Sequence, residues 1–297
     1  MATSANIALP QHHEPTLTVG SLPFKSPSVN FTELLPIPTN ATQYAQLSST
    51  LVLNPAFITQ DFDLLRFDAA AYDQLPRSNL ILHPSTNNLD HETEHEEQTV
   101  HSPSPAYSNF LISSPYNNPG HHLDLSSPHL TTPSRLFALA LTALKPTRTD
   151  YATAPYTSAL NFDSVLPVLR GLVAKENVQW PEISFYIVIF RSKLKPNIDN
   201  DYLYKLDYES QREACESGGL LKYWFGKTDT ERRNLATCFW HSREDAWKGG
   251  LGPWHVKARA AGHELYESIV FSTHRFTILE GATGFKFEEW KEQGRDG

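Results

Sequence analysis

Hydrophobic and polar positions alternate with a legible period only in the second half of the chain. Phe162, Val165, Leu166, Leu169, Leu172 and Val173 recur at three- and four-residue steps, so the spacing predicts an amphipathic helix over 162–175. Ile183 to Phe190 is an unbroken β-branched and aromatic run, the pattern of a strand covered on both faces. Asp201 to Ser217 opens on acidic residues and closes on Gly218 and Gly219, the start and stop signals of a helix. Leu220–Phe225 and Leu235–Trp240 read as an antiparallel hairpin joined by the polar stretch 226–234. Ser242 heads a short helix, a second helix is expected over 254–269, and strands follow at 270–279 and 285–287. The apolar run 135–144 fits a buried strand or a short helix.

From Ile183 the order is strand, helix, strand, strand, helix, strand. This predicts an α+β fold, a ferredoxin-like antiparallel sheet with helices on one face. The other face then needs a cover, from residues 135–175 or from a second subunit, which makes a homodimer one expectation.

Composition changes the picture before residue 134. Fifteen of the 21 prolines lie at or before Pro133, whereas all six tryptophans lie after residue 150. Residues 1–133 hold three basic residues (Lys25, Arg66, Arg77) against twelve acidic ones, so this half supplies the whole formal charge of -8. Tracts rich in Pro, Ser, Thr and Asn bury too little side chain to offset the backbone entropy of ordering. The expected organisation is a disordered stretch 1–48, an apolar segment 49–82, a disordered acidic, Pro- and Ser-rich linker 83–133, an α+β domain 134–290 and a tail 291–297. The apolar segment serves either as an extra element on the domain or as a docking segment for a protein partner through residues 57–67.

The acidic balance argues against a nucleic-acid binder. No run approaches the length of a bilayer-spanning helix and no leader pattern opens the chain, so a cytoplasmic, or also nuclear, protein without a membrane partner is expected. Cys215 and Cys238 cannot build a disulfide framework or a cysteine zinc site, and neither lies where a thiolate is favoured.

The run Ala236-Thr237-Cys238-Phe239-Trp240-His241-Ser242-Arg243-Glu244-Asp245-Ala246 is followed by Gly252-Pro253-Trp254-His255 and by Ala258, Ala261 and Tyr266. Together these resemble a family of uncharacterised fungal proteins over about residues 134–290. More loosely, residues 183–280 look like the dimeric α+β barrel superfamily, and that resemblance implies a pocket between sheet and helices without naming a reaction or a cofactor.

Three stretches carry candidate chemistry. His91-Glu92-Thr93-Glu94-His95 matches the H-E-x-x-H spacing of metalloproteases, but that pattern needs a helix rooted in a core. The tract has no apolar stripe; it reads as solvated, and no metal ligands are assigned anywhere in the chain. Gly249 to His255 is glycine-rich and leads into a helix, so Gly250 and Gly252 with Arg259 are candidates for holding an anion on free N–H groups. The stripe Trp254, Ala258, Ala261, Leu265 and Ile269 should face the sheet, placing His255 at its border, and His274 lies in the last long strand beside Trp240. Trp240, Trp254, His255 and His274 are therefore the candidate lining of a small-molecule pocket, with enzymatic activity left open. The competing reading is a regulatory interaction protein working through its N-terminal half, where Ser26, Ser102, Ser104, Ser114, Ser127 and Thr132 precede prolines as kinases require.

Overall fold

The computed structural model describes residues 17–18 and 110–291. The calls on residues 19–109, including His91–His95 and the segment 57–67, lie outside the described residues.

The centre of the molecule is β4 (Ile183–Leu194), a twelve-residue strand. On one side it pairs with β6 (Arg233–Trp240), which pairs in turn with β5 (Leu220–Phe225). On the other side lies β7 (Tyr266–Ile278), whose two halves pair with β8 (Phe285–Glu289) and with β1 (Leu17–Thr18). Every pairing is antiparallel, and the order is β1-β7-β4-β6-β5 with β8 off the path. A second, two-stranded sheet joins β2 (Phe110–Ile112) to β3 (His122–Asp124).

Helices cover both faces, because the cover expected from residues 135–175 is itself helical. Both faces need cover given the period of two along β4: Phe185, Ile187 and Ile189 point one way, and Tyr186 and Val188 the other, so each face has its own apolar set. The first face is covered by α1 (Thr132–Ala140), the single turn α2 (Tyr156–Ala159) and α3 (Phe162–Lys175). The run 135–144 resolves as helix and a 3-10 turn rather than strand, because Thr131 caps α1 by accepting the Ser134 N–H and Pro133 suits the first turn. The second face is covered by α4 (Asn200–Glu216), α5 (Arg243–Gly249), α6 (Pro253–Ala260) and α7 (Gly262–Leu265). Asp199 caps α4 from the Tyr202 N–H and Ser242 caps α5 from the Asp245 N–H.

Two boundaries move. The helix expected over 254–269 breaks at Ala261, and the chain is strand from Tyr266, because residues 266–271 pair along β4 from Leu194 to Phe190. The apolar stripe does hold together through Leu265: Trp254, Ala258, Ala261 and Leu265 pack with Leu203 and Leu206 of α4 and with Leu194 at the end of β4. The second move is at the start: within the expected linker 83–133, Leu111, Ile112, Tyr116, Leu123 and Leu130 are at most 2% exposed. The Tyr223 N–H of edge strand β5 donates to the Ser113 carbonyl, so this segment covers a sheet edge that would otherwise be open. Ser114, one of the Ser-Pro sites, is fully buried with its hydroxyl on the Tyr116 carbonyl, which is no position for a kinase substrate.

Candidate functional site

The four residues proposed to line one pocket do not converge. Trp240 is opposite Tyr186 in the β4–β6 register and lies in the cluster under α4, with its indole against Gly249 of α5. Trp254 belongs to the separate cluster between α4 and α6, where Lys257 Nζ sits 3.9 Å from its ring centroid. His274 is opposite Ile187 and so lies on the α1–α3 face of the sheet. There it stacks on Phe287, centroids 4.4 Å apart, with Nε2 3.0 Å from the Ser272 hydroxyl, and burial lowers its pKa.

His255 is committed elsewhere, and so is the glycine-rich turn. The Glu213 carboxylate accepts the N–H groups of Trp254 (2.7 Å) and His255 (3.1 Å) and lies 3.0 Å from His255 Nδ1. Partial burial works against ionisation of Glu213, but those donors outweigh it and hold the carboxyl below its usual range. The N-terminus of α6 thus holds an anion that the protein itself supplies. Gly252 makes room for it, since a Cβ there would fall 2.3 Å from the Glu213 carboxyl carbon. Arg259 Nη1 donates to the Gly250 carbonyl at 2.9 Å, closing the turn on itself. An open hollow of about 420 Å³ lies beside this turn, with Trp254 as the one member of the expected lining in its wall.

A different set of polar side chains does come together, where the last residue of β6 meets the starts of α1 and α5. His241 follows Trp240 directly, and its Nδ1 lies 2.6 Å from the hydroxyl of Ser134, a residue 107 positions earlier. The Ser134 hydroxyl is also 3.0 Å from that of Thr131. Asp245, in the first turn of α5, is 1% exposed; its Oδ2 accepts the Ser242 hydroxyl at 2.5 Å and its Oδ1 lies 2.6 Å from His129 Nε2. The His129 and His241 rings meet edge to face at 5.3 Å. The ligand atoms of His129, His241 and Asp245 all lie within 4.8 Å of one another.

The local sequence explains how a carboxylate reaches this depth. A Cβ at Gly219 would sit 2.3 Å from Asp245 Cβ, so only glycine lets α5 approach, and the Gly219 carbonyl accepts the His241 N–H at 2.9 Å. Burial and the neighbouring His129 lower the His241 pKa against the pull of Asp245, keeping this imidazole neutral at pH 7. His129 is the outward member, with 44% of its side chain exposed against 2% for Asp245. A hollow of about 300 Å³ lies nearby, walled by Ser127, whose hydroxyl accepts the His129 N–H, and by Gly218, next to Gly219, but by none of the four cluster side chains. Sequence reading missed the constellation because His129 fell in the expected linker 83–133 and Ser134 is the first residue of the expected domain. The signal available was His241 and Asp245 four residues apart across a capping serine.

The two cysteines behave as expected of structural thiols. Burial pushes Cys215 up to about 12 and raises Cys238 as well.

Fold and site together define a mixed α+β protein with helices on both faces of an antiparallel sheet and a His/Asp/Ser cluster at one end of it. The PB2B2.08-like family matches residues 112–289, and the chain belongs to that family. A relative from Schizosaccharomyces pombe, described as UPF0643 protein PB2B2.08, is 34% identical over 186 residues, covering 60% of this chain and 84% of the relative. No solved structure matches. The matched region starts at 112, so it takes in His129 and Ser134 along with His241 and Asp245. Among the described residues no helix is long and apolar enough to cross a membrane.

Proposed function

We propose that this chain is a small-molecule-binding protein with acid–base chemistry at its site, and that the site is Ser134, His241, His129 and Asp245 rather than Trp240, Trp254, His255 and His274. The observation that carries the reading is the Ser134–His241 contact of 2.6 Å beside the Asp245–His129 contact of 2.6 Å, each joining elements more than a hundred residues apart. Polar side chains brought together over that distance and held by a buried carboxylate cost desolvation, which a purely structural role would satisfy more cheaply with apolar residues. A neutral His241 hydrogen-bonded through Nδ1 is oriented to use its other nitrogen as a base, and the exposed His129 gives the cluster an edge on solvent.

The strand order β7-β4-β6-β5, with α4 between the first and second strands in sequence and α5–α7 between the third and fourth, supports placing the sheet in the ferredoxin-like class. In that class the face away from α4 is commonly the one left for a second subunit. Here α1–α3 cover it, which favours a monomeric unit.

Ligand-observed NMR of the full chain against a library of small polar metabolites tests the site. Binders should be lost in His241→Phe and kept in Trp254→Ala. Binding that survives His241→Phe and vanishes in Trp254→Ala would overturn the assignment.

A further inference from the structure

We infer that His129, His241 and Asp245 bind one divalent first-row transition ion; the inference uses the same site as the proposed function but does not need its small-molecule ligand. The donor set is two imidazoles and one carboxylate, which suits zinc or iron(II) and leaves further coordination positions open, whereas all-oxygen sites suit magnesium or calcium. All three donor groups lie within 4.8 Å of one another, and they come from three separate elements: the segment before α1, the end of β6 and the first turn of α5.

The surroundings match what such ligands need. A metal-bound histidine is normally oriented by a hydrogen bond from its other nitrogen. His241 has that bond, from Nδ1 to the Ser134 hydroxyl, which is itself steadied by Thr131, so Nε2 is the nitrogen presented to an ion. Asp245 is oriented in the same way: Oδ2 is engaged by Ser242, and Oδ1 is the oxygen turned towards His129. Burial already favours the neutral form of His241, the form that ligates. One adjustment is required. His129 Nε2 and Asp245 Oδ1 stand 2.6 Å apart in a hydrogen bond, whereas two ligands each about 2.0–2.2 Å from a tetrahedral ion stand roughly 3.3 Å apart. His129 can supply this movement because it is the exposed member, on an irregular segment, while Asp245 and His241 stay fixed. The ion therefore takes the place of the His129–Asp245 hydrogen bond and draws in His241 Nε2.

The test is a calorimetric titration of the chelator-treated full chain with Zn²⁺, in a background where His91 and His95 are both changed to Ala so that this His-rich tract cannot contribute. One equivalent should bind, Co²⁺ should give the visible absorption of a low-symmetry N,N,O site, and Mg²⁺ should not compete. His129→Ala and His241→Ala should each abolish the stoichiometric site, and Ser134→Ala should weaken it by about 10–100-fold. His129→Ala is the decisive variant because its exposed side chain can be removed without unfolding the chain, which circular dichroism checks. No saturable binding, binding unchanged in His129→Ala, or equal competition by Mg²⁺ would each overturn the inference. Small-molecule binding dependent on His241 but without any zinc site would overturn this inference alone, whereas a zinc site without such a ligand would overturn the proposed function alone.

Discussion

The two faces of the sheet are built on different principles although they alternate along the same strands. The face under α1–α3 is filled chiefly by phenylalanine and aliphatic side chains: Phe137 lies between Phe185 and Phe276, centroids 4.5 and 5.9 Å away, and Phe162 closes on Phe276 at 4.9 Å. The face under α4 is filled by tyrosines around buried ionisable groups. Tyr116 and Tyr223 donate to the two oxygens of Asp207 at 2.5 and 2.7 Å, and His121 is fully buried with Nδ1 on Gln211 and its ring against Tyr208. The first face gains stability chiefly from area removed from water, with one titrating exception, the buried Lys222 opposite Phe239, whose pKa burial lowers to about 7. The second holds groups whose protonation differs between folded and unfolded chain, so its contribution depends on pH. The His241 cluster lies at the sheet end where α1, from the first face, meets α5, from the second.

The largest expected effect is on the first face. Phe137→Ala should lower the unfolding free energy by about 3–5 kcal/mol, measured by urea denaturation, and by the same amount at pH 5 and pH 7. A loss that changed with pH would break the distinction between the faces.

The next effect belongs to the second face. Burial lowers the His121 pKa from 6.5 to about 4, so between these values the unfolded chain binds more protons than the folded one. Stability should be fully present above pH 6.5 and should fall by about 3 kcal/mol as pH drops to 4. Asp207, raised by burial, has the opposite sign and loses stability as pH rises through its folded pKa, blunting the slope at the acid end. His121→Phe should flatten the curve between pH 6.5 and 4; a curve as steep as that of the unaltered protein would show that His121 does not carry it.

A smaller effect tests the α4–α6 contact. Glu213→Ala removes the acceptor for two N–H groups at the start of α6 and should cost about 1–2 kcal/mol in chemical denaturation, with Gly252→Ala similar because its Cβ displaces the same carboxylate. Gly252→Ala without measurable cost would mean that the cap is not held in solution. The smallest effect should be that of His129→Ala, about 1 kcal/mol on stability, since the side chain is itself exposed but leaves the buried Asp245 carboxylate one partner short. A greater loss would make His129 a structural residue.

Much of the fold was legible because the relevant signals are local. The period of α3 and the apolar runs of β4 and β5 needed no tertiary information, and the glycine stop after α4 and the serine that heads α5 were readable from type and spacing. The boundary between α7 and β7 was not, since Leu265 and Ile269 continue a helical stripe while pairing with β4 decides otherwise. The segment 110–131 misled for a related reason: its Pro, Ser and Asn resemble linker, yet five large apolar side chains find partners far along the chain. The site followed the same rule. His255 and the glycine turn were conspicuous locally and proved to be a capped helix, whereas Ser134 and His129 acquire their meaning only from contacts 107 and 116 residues away.

The account stands most directly on the contact between Ser134 and His241, and long-range proton–nitrogen NMR of the histidine side chains reads it in solution. The prediction is that at pH 7 the His241 ring is neutral with its proton on Nδ1, that its pKa lies below 6.5, and that Ser134→Ala abolishes this tautomer preference. A ring that exchanges freely between tautomers with an ordinary pKa, or one unaffected by Ser134→Ala, would contradict it.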